Sequence, residues 1–473
     1  MSDIEVESTN ISVNKTFLPI FFLGGFFSLA FSGIYILNVP LSELFWPGEQ
    51  YHALEMGILI SSMFLAIAFA GMLFGRIIDR YSRVKILFIV SLVRGICMIL
   101  LSFTVVGQGI TSWLYFYVIV FIFAFFAGGN YPSVASLSHD IVPMDQRSRF
   151  FGVYNLNRNI FQLTGFLIVG FLVLVGLWRI FFGFVGLAII ISGINMFLFM
   201  EEPKRGTQNK ELTDVLKDDS IEYDFKINLE MMRKTMLSKT NLVILIEGIS
   251  TNIFMGSLTF LLLPYIQTDP HNISPFATGI FLAVFGLTGG LTGQVLLARL
   301  SDKLSKLHDL RRIYLIIISL VGGAITFALL FFIPLPHLTK AEGQNILLFI
   351  AEPIVFLMGI IHACSTSISA LYNTNQGPIL QEINLPEAQG QIVSWNRFLE
   401  SVSFGSGPMI SGIFISLSGQ NYQLVAILIG LFTIPGILLW ITSIKWYSTD
   451  KQTISAILEE RSVILKSRQS NSK

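Results

Sequence analysis

GRIIDRYSRVK occupies residues 75–85, between MGILISSMFLAIAFAGMLF (56–74) and ILFIVSLV (86–93). Arg76, Asp79, Arg80, Arg83 and Lys85 therefore crowd into one short segment whose flanks avoid water. The flanking apolar runs, 56–75 and 84–106, are each close to the roughly 20 residues a helix needs to cross a bilayer. The charges then mark a turn between two spans, at a membrane surface.

Applied outward from that turn, the same length rule predicts twelve spans, near 17–39, 56–75, 84–106, 113–138, 150–175, 178–200, 241–266, 276–298, 313–335, 345–372, 390–417 and 422–446. Composition agrees: 53% of residues are hydrophobic and 13% charged, against about 25% charged in soluble domains. A net charge of +1 supplies no overall field to recruit nucleic acid, so charge matters here by position. Cys97 and Cys364 fall inside apolar runs, where a small buried hydrophobe is favoured over a disulfide. The opening MSDIEVESTNISVNKT is acidic and polar rather than a basic leader, so the first apolar run reads as an uncleaved span.

Lys and Arg placement orients the chain. Of 31 basic residues, only Arg179 and Lys340 fall at a span end or in a connection on one side, and only Arg94, Arg158 and Arg397 fall well inside spans, Lys85 and Lys445 lying at the opposite ends of theirs. All others lie on the side shared with the termini. The expectation is an integral protein of the cell (plasma) membrane with both termini cytoplasmic. The longest polar interval, 201–240, divides the spans six and six. The predicted organisation is a bundle over 1–200, a cytoplasmic linker over 201–240, a second bundle over 241–446 and a cytoplasmic tail over 447–473. The fold class is all-α membrane protein, twelve transmembrane helices in two pseudo-symmetric six-helix bundles.

The halves echo each other, as an internal duplication would require. ARLSDKLSK (298–306), read as the loop after span 8, repeats Asp79-Arg80-x-Ser82-Arg83 as Asp302-Lys303-x-Ser305-Lys306. DIVPMDQRSR (140–149) aligns with EINLPEAQGQ (382–391), and Gly165 and Gly170 then fall on Gly407 and Gly412. On these residues the chain resembles the major facilitator superfamily of transporters, whose signature loop Gly-x-x-x-Asp-Arg-x-Gly-Arg-Arg/Lys fits at Gly75, Asp79, Arg80 and Arg83. Ser82 stands where that loop usually has Gly, and Ala298 replaces Gly in the second copy. LWRIFF (177–182) and EEPKRG (201–206) are similar to family habits at the end of the first half, whereas the family's Arg-based antiporter pattern is absent from span 4. GGNYPSVASLSHDIVPMDQRSRFFGVY (128–154) is similar to spinster-type lipid transporters, with Gly129 and Asn130 where those usually carry Glu.

The resemblance implies a conformational latch. Asp79 would face the start of span 11, Arg83 would reach Asp140 at the end of span 4, and Asp302 would face the start of span 5, with Arg80 and Lys306 in the same set. Such contacts bias one state of a two-state equilibrium. The resemblance also implies that spans 1, 4, 7 and 10 line a central cavity.

Ionisable groups inside a membrane are costly and mark function by default. Arg158 shares a helix face with Asn155, Asn159 and Gln162, while span 11 carries Asn396, Arg397 and Glu400, the last two able to pair at i, i+3. These residues read either as a substrate site favouring an anionic or zwitterionic group or as internally neutralised packing. His362, Thr366, Ser369 and Asn373 form one face of span 10; Ser28, Ser32 and Tyr35 form one of span 1, and Asn130 joins the candidate substrate contacts. Helix packing is the alternative for each stripe. Glu247 is a candidate proton carrier, with Glu400 beside it, because burial raises a carboxyl's pKa. Glu352 reads as an outer gate and Arg94 as structural.

No HExxH, GxSxG, Walker loop or Cys/His metal spacing occurs, so the chain reads as no enzyme and as needing no cofactor or metal. The expected function is secondary active transport of a small organic solute by alternating access, as symporter or antiporter, with protons the candidate coupling ion. The expected partners are the solute and membrane lipid, the expected state a monomer, and a lysolipid or other amphiphile is an alternative cargo. A non-transporting sensor or assembly factor on the same fold is the rival class. TISAILEERSVILK in the tail reads as a surface-lying helix or a solvated one.

Overall fold

A computed structural model describes residues 18–78, 80–142, 147–203, 229–347 and 352–471, without the side chains of 139, 147–149, 390 and 465–471. Among the described residues twelve helices are long and apolar enough to cross a membrane: Leu18–Ile36, Ala53–Ile78, Arg83–Ser102, Ile110–Ser138, Phe150–Leu174, Trp178–Phe199, Lys239–Gln267, Pro275–Ser305, Arg311–Phe332, Pro353–Glu382, Pro386–Leu417 and Tyr422–Ser443. They are spans 1 to 12. Their outward faces keep large side chains such as Phe184, Ile191, Leu198 and Phe332 exposed, which suits hydrocarbon rather than water.

Local sequence explains the departures from the predicted boundaries. Pro275, Pro353 and Pro386 each sit in the first turn of their helix, where a missing N–H costs nothing. Span 10 thus starts at Pro353, and Glu352 flanks its N-terminus instead of lying within the span. The same helix runs on to Glu382, past the expected 372, because its polar residues bond within it: Thr374 Oγ1 donates to Ala370 O at 3.1 Å and Asn375 Nδ2 to Leu371 O at 2.8 Å. Span 8 likewise continues through Ser305, so 298–305 is helix and not loop. Two π-helical segments, Leu282–Gly286 and Thr292–Leu297, interrupt it, the kind of local rewinding often found where a helix must bend.

The chain divides into two compact units. One holds the residues up to Tyr35, Phe69–Val105 and the stretch from Leu114 through span 6; the other holds Ile36–Ala68, Val106–Trp113 and everything from span 7 onward. In the first, spans 3 and 6 approach so closely that a Cβ on Gly95 would lie 2.7 Å from Gly186 O. In the second, Cβ on Gly256 would lie 2.0 Å from Phe404 O, bringing spans 7 and 11 into backbone contact, and Ser257 Oγ donates to Gly407 O at 3.0 Å. The early part of span 2 packs on span 11 within the same unit, where Met409 N donates to Ser61 Oγ at 2.7 Å.

The tail is a helix, Tyr447–Asn471. Ile454 and Ile457 enter the second unit's core beside Met236, Ile313, Ile379 and Leu385, so the helix lies on protein rather than free in water. Lys451 Nζ reaches Asp309 at 2.9 Å and Glu382 at 3.0 Å, Arg461 reaches Glu387 at 2.6 Å, and Thr240 N at the start of span 7 donates to Asp450 at 2.9 Å. Burial alone would lower the Lys451 pKa; the two carboxylates outweigh it and hold the ammonium above its usual range.

Candidate functional site

Arg158 on span 5 is partly buried, and its Nε donates to Ser28 Oγ on span 1 at 3.1 Å. Its guanidinium lies 5.9 Å from the Tyr154 ring centroid. Asn155 is exposed and Gln162 intermediate, while Asn157 on the adjoining face ties span 5 to span 1 by donating to Phe21 O at 2.7 Å. Asn130 is buried where span 4 restarts after Gly128 and Gly129. None of the membrane-crossing segments of this unit carries Asp or Glu, so Arg158 has no acid partner there.

The second unit has the opposite sign. Glu247 on span 7 is fully buried, accepting from Tyr372 Oη and Thr251 Oγ1, each at 2.9 Å. Gln376 Nε2 donates to Tyr372 Oη at 2.9 Å, which carries the network one turn further along span 10. Glu400 on span 11, also buried, accepts from Asn396 Nδ2 at 2.8 Å and from Arg397 at 3.0 Å. Gly248 of span 7 faces that carboxylate: a Cβ there would lie 3.5 Å from Glu400 Cγ, an ordinary contact. Tyr372 feels the charges of Glu247, Glu400 and Arg397 together, so these groups form one cluster. Sequence reasoning missed Tyr372, although it recurs at helical spacing with Ser365, Gln376 and Ser369, the last a member of the stripe it chose.

Two residues of that stripe touch the neighbouring span 8. His362 is buried 5.6 Å from the Phe281 ring, and Thr366 closes on Gly289 of span 8, where a Cβ would lie 1.9 Å from its hydroxyl. Tyr35 stacks on Phe31 at 6.3 Å and leans on Phe166 of span 5.

At the GRIIDRYSRVK turn, Asp79 lies outside the described residues. Arg80 is exposed, whereas Arg83 is buried and pairs with Asp140 and, at 2.7 Å, with Glu202. Glu202 also accepts from Ser82 Oγ at 2.7 Å, Arg83 N at 3.1 Å and Val84 N at 2.9 Å, so a residue 120 positions away caps the N-terminus of span 3. Burial would raise the Glu202 carboxyl; these donors prevail and hold it below the ordinary range. In the second copy of the motif, Asp302 is exposed and accepts from Arg312 at 3.4 Å, and Lys306 is exposed. Among the described residues no group of three His, Cys, Asp or Glu could hold a metal ion.

Twelve membrane-length apolar helices define a polytopic membrane protein. Residues 21–378 match the Major Facilitator Superfamily, and the chain belongs to that superfamily of membrane transporters, with its two pseudo-symmetric six-helix bundles. A comparison with curated proteins returns no significant match. Among solved structures, the chain is similar to a bacterial homolog of the human lysosomal transporter Spinster in an inward-facing, occupied conformation, with 16% identity, 91% of this chain and 97% of that chain covered, and a TM-score of 0.65. It is similar to the POT family transporter PepTSo with 15% identity, 92% and 98% covered, TM-score 0.64. It is also similar to the nucleoside transporter NupG with 14% identity, 91% and 99% covered, TM-score 0.63. At these identities the likeness is one of fold.

Proposed function

We propose that this chain is a secondary active transporter that moves a small organic solute by alternating access, with Arg158 recognising an anionic or zwitterionic group and Glu247 carrying a coupling proton. The observation that carries the reading is a partly buried guanidinium, bonded to one hydroxyl, on a unit whose spans hold no acid. An intramembrane cation is expensive unless a partner balances it, and a solute supplies that partner only when bound. Glu247 fits the second role because its carboxyl is wrapped by hydroxyl donors and shares a cluster with Glu400, so its charge state responds to what neighbours do. The Arg83–Asp140–Glu202 knot fits the latch, since it fastens the entry of span 3 to the ends of spans 4 and 6.

Counterflow of radiolabelled solute in proteoliposomes tests transport against the sensor alternative, because a sensor binds without flux. Arg158→Ala is expected to abolish binding while the protein remains folded; wild-type affinity in that variant removes Arg158 from the site. The resemblance of residues 128–154 to spinster-type lipid transporters keeps an amphiphilic cargo as the second reading, and lysolipid counterflow checks it.

A further inference from the structure

Arg94 on span 3 is 3% exposed, and its guanidinium sits 3.7 Å from the Phe27 centroid and 4.3 Å from that of Phe123. Aromatic faces attract a cation but accept no N–H bond of ordinary strength, and Arg94 Nε has no hydrogen-bond partner. Tyr154 Oη and Asn130 Oδ1 are buried nearby without a bond of ordinary geometry, and are close enough to interact with each other. They belong to one neighbourhood: the Arg158 guanidinium lies 5.9 Å from the Tyr154 ring centroid, and Tyr154 and Arg94 both pack on span 1, against Gly24 and Phe27 one turn apart. Gly24 makes room for the tyrosine, since a Cβ there would meet its hydroxyl at 2.7 Å.

Two cations, one hydroxyl and one amide oxygen thus converge where no carboxylate is present on the unit's spans. An unpaired buried charge is among the costliest features a protein carries, and a packing role alone would be met more cheaply by an apolar side chain at position 94. We infer that Arg94 and Arg158 form a two-cation subsite for an oxyanion group of the cargo, a carboxylate or phosphate adjoining a hydroxyl. This deepens the transporter reading and rests on it for calling the ligand a cargo. The oxyanion accepts from Arg94, Arg158 and Tyr154, and its neighbouring hydroxyl donates to Asn130 Oδ1. Guanidinium suits this task because its planar fork meets two oxygens at once.

The test is thermal denaturation of the purified full-length protein with lactate, inorganic phosphate, glycerol 3-phosphate or lysophosphatidate, against glycerol and chloride at matched ionic strength. A ligand that binds only the folded state raises the midpoint by mass action. At least one oxyanion is expected to raise it by several degrees while glycerol and chloride do not; a response to lysophosphatidate alone assigns the group to a lipid head, a response to the soluble anions to a free solute. Arg94→Gln and Arg158→Gln are expected to lose the shift, and Arg94→Lys to keep part of it. Asn130→Asp, which installs the missing carboxylate, is expected to raise the ligand-free midpoint and abolish the response, an outcome that packing alone does not produce. Should Arg94→Gln fail to fold, the Lys and Asp variants decide the matter. No shift with any oxyanion, or an undiminished shift in Asn130→Asp, overturns the subsite. Oxyanion binding without counterflow of any solute would retain the subsite and sink the transporter reading; counterflow of a neutral solute with no oxyanion response would do the reverse.

Discussion

A hydrogen in place of a methyl group fixes where spans 7 and 11 cross. At Gly256 an added Cβ would fall 2.0 Å from a backbone oxygen of Phe404, which cannot swing aside as a side chain tip could. Gly256→Ala is expected to destabilise the protein by about 1–3 kcal/mol, the usual range for overpacking. Gly430→Ala, where nothing lies within 4 Å, is the control and is expected to be neutral or stabilising in the same denaturation series. Glu202 offers a second residue-level test. Glu202→Ala removes a cap worth ~1 kcal/mol and leaves Arg83, 1% exposed, with Asp140 as its remaining acid partner among those described above. Because the folded-state pKa of Glu202 is depressed, its contribution is fully present above the ordinary glutamate value of about 4.3 and fades only as pH falls through the lowered one. The gap between wild type and Glu202→Ala is therefore expected to stay constant from pH 8 to 5 and to shrink below that. A gap that narrows near pH 7 would point to another group. The Arg83–Glu202 contact was not legible beforehand, because the sequence placed EEPKRG after span 6 without saying which helix start it would face. The surroundings of Arg94 were illegible for a similar reason: its place in an apolar run was plain, but Phe27 and Phe123 come from other helices.

At the scale of elements, apolar length was a sound guide to the number of spans and a poor one to where they stop. Span 10 shows why, since Asn373, Thr374, Asn375 and Gln376 look like a loop by polarity yet stay helical, Thr374 and Asn375 bonded to carbonyls one turn back and Gln376 to Tyr372. The tail shows the complementary limit. Ile454, Ile457 and Arg461 fall at i, i+3 and i+7, a periodicity visible in the sequence, but only packing reveals that the face meets protein. Arg461 and Glu387 are nearly dry, with side chains 8% and 12% exposed. Breaking such a nearly dry ion pair is costly, so Arg461→Ala is expected to cost up to ~3 kcal/mol, measured as a shift in the unfolding midpoint of purified protein. A loss no larger than that of the exposed Lys306→Ala would show that the tail is only loosely seated.

Across the whole molecule, the duplicated motif led to the superfamily before any coordinates, because pseudo-symmetry is written in spacing. The assignment of charge was legible only in part. Arg158 and Glu400 were found as intramembrane groups, yet the Tyr372 link from Glu247 toward Glu400 depends on how three helices meet. The proposed coupling predicts a separation of functions: Glu247→Gln is expected to make flux indifferent to an imposed pH gradient while solute exchange at equal pH continues. If the variant still responds to the gradient as wild type does, the proton travels elsewhere. Arg83→Gln is expected to lower turnover several-fold with little change in apparent affinity, and an affinity loss of the same size would make it a binding residue rather than a latch.

The seating of the tail also carries a consequence for how the protein is made. A ribosome delivers Lys451 and Arg461 only after span 12 has emerged, so Glu382 and Glu387 wait without these partners while earlier helices are already inserting. Until that last helix arrives, the patch around Ile379 and Leu385 is uncovered by Ile454 and Ile457. Arrival of that helix is thereby written into the surface, and a chain that does not yet carry it, or is clipped ahead of it, would present to proteases a greasy, acidic scar that the helix otherwise conceals.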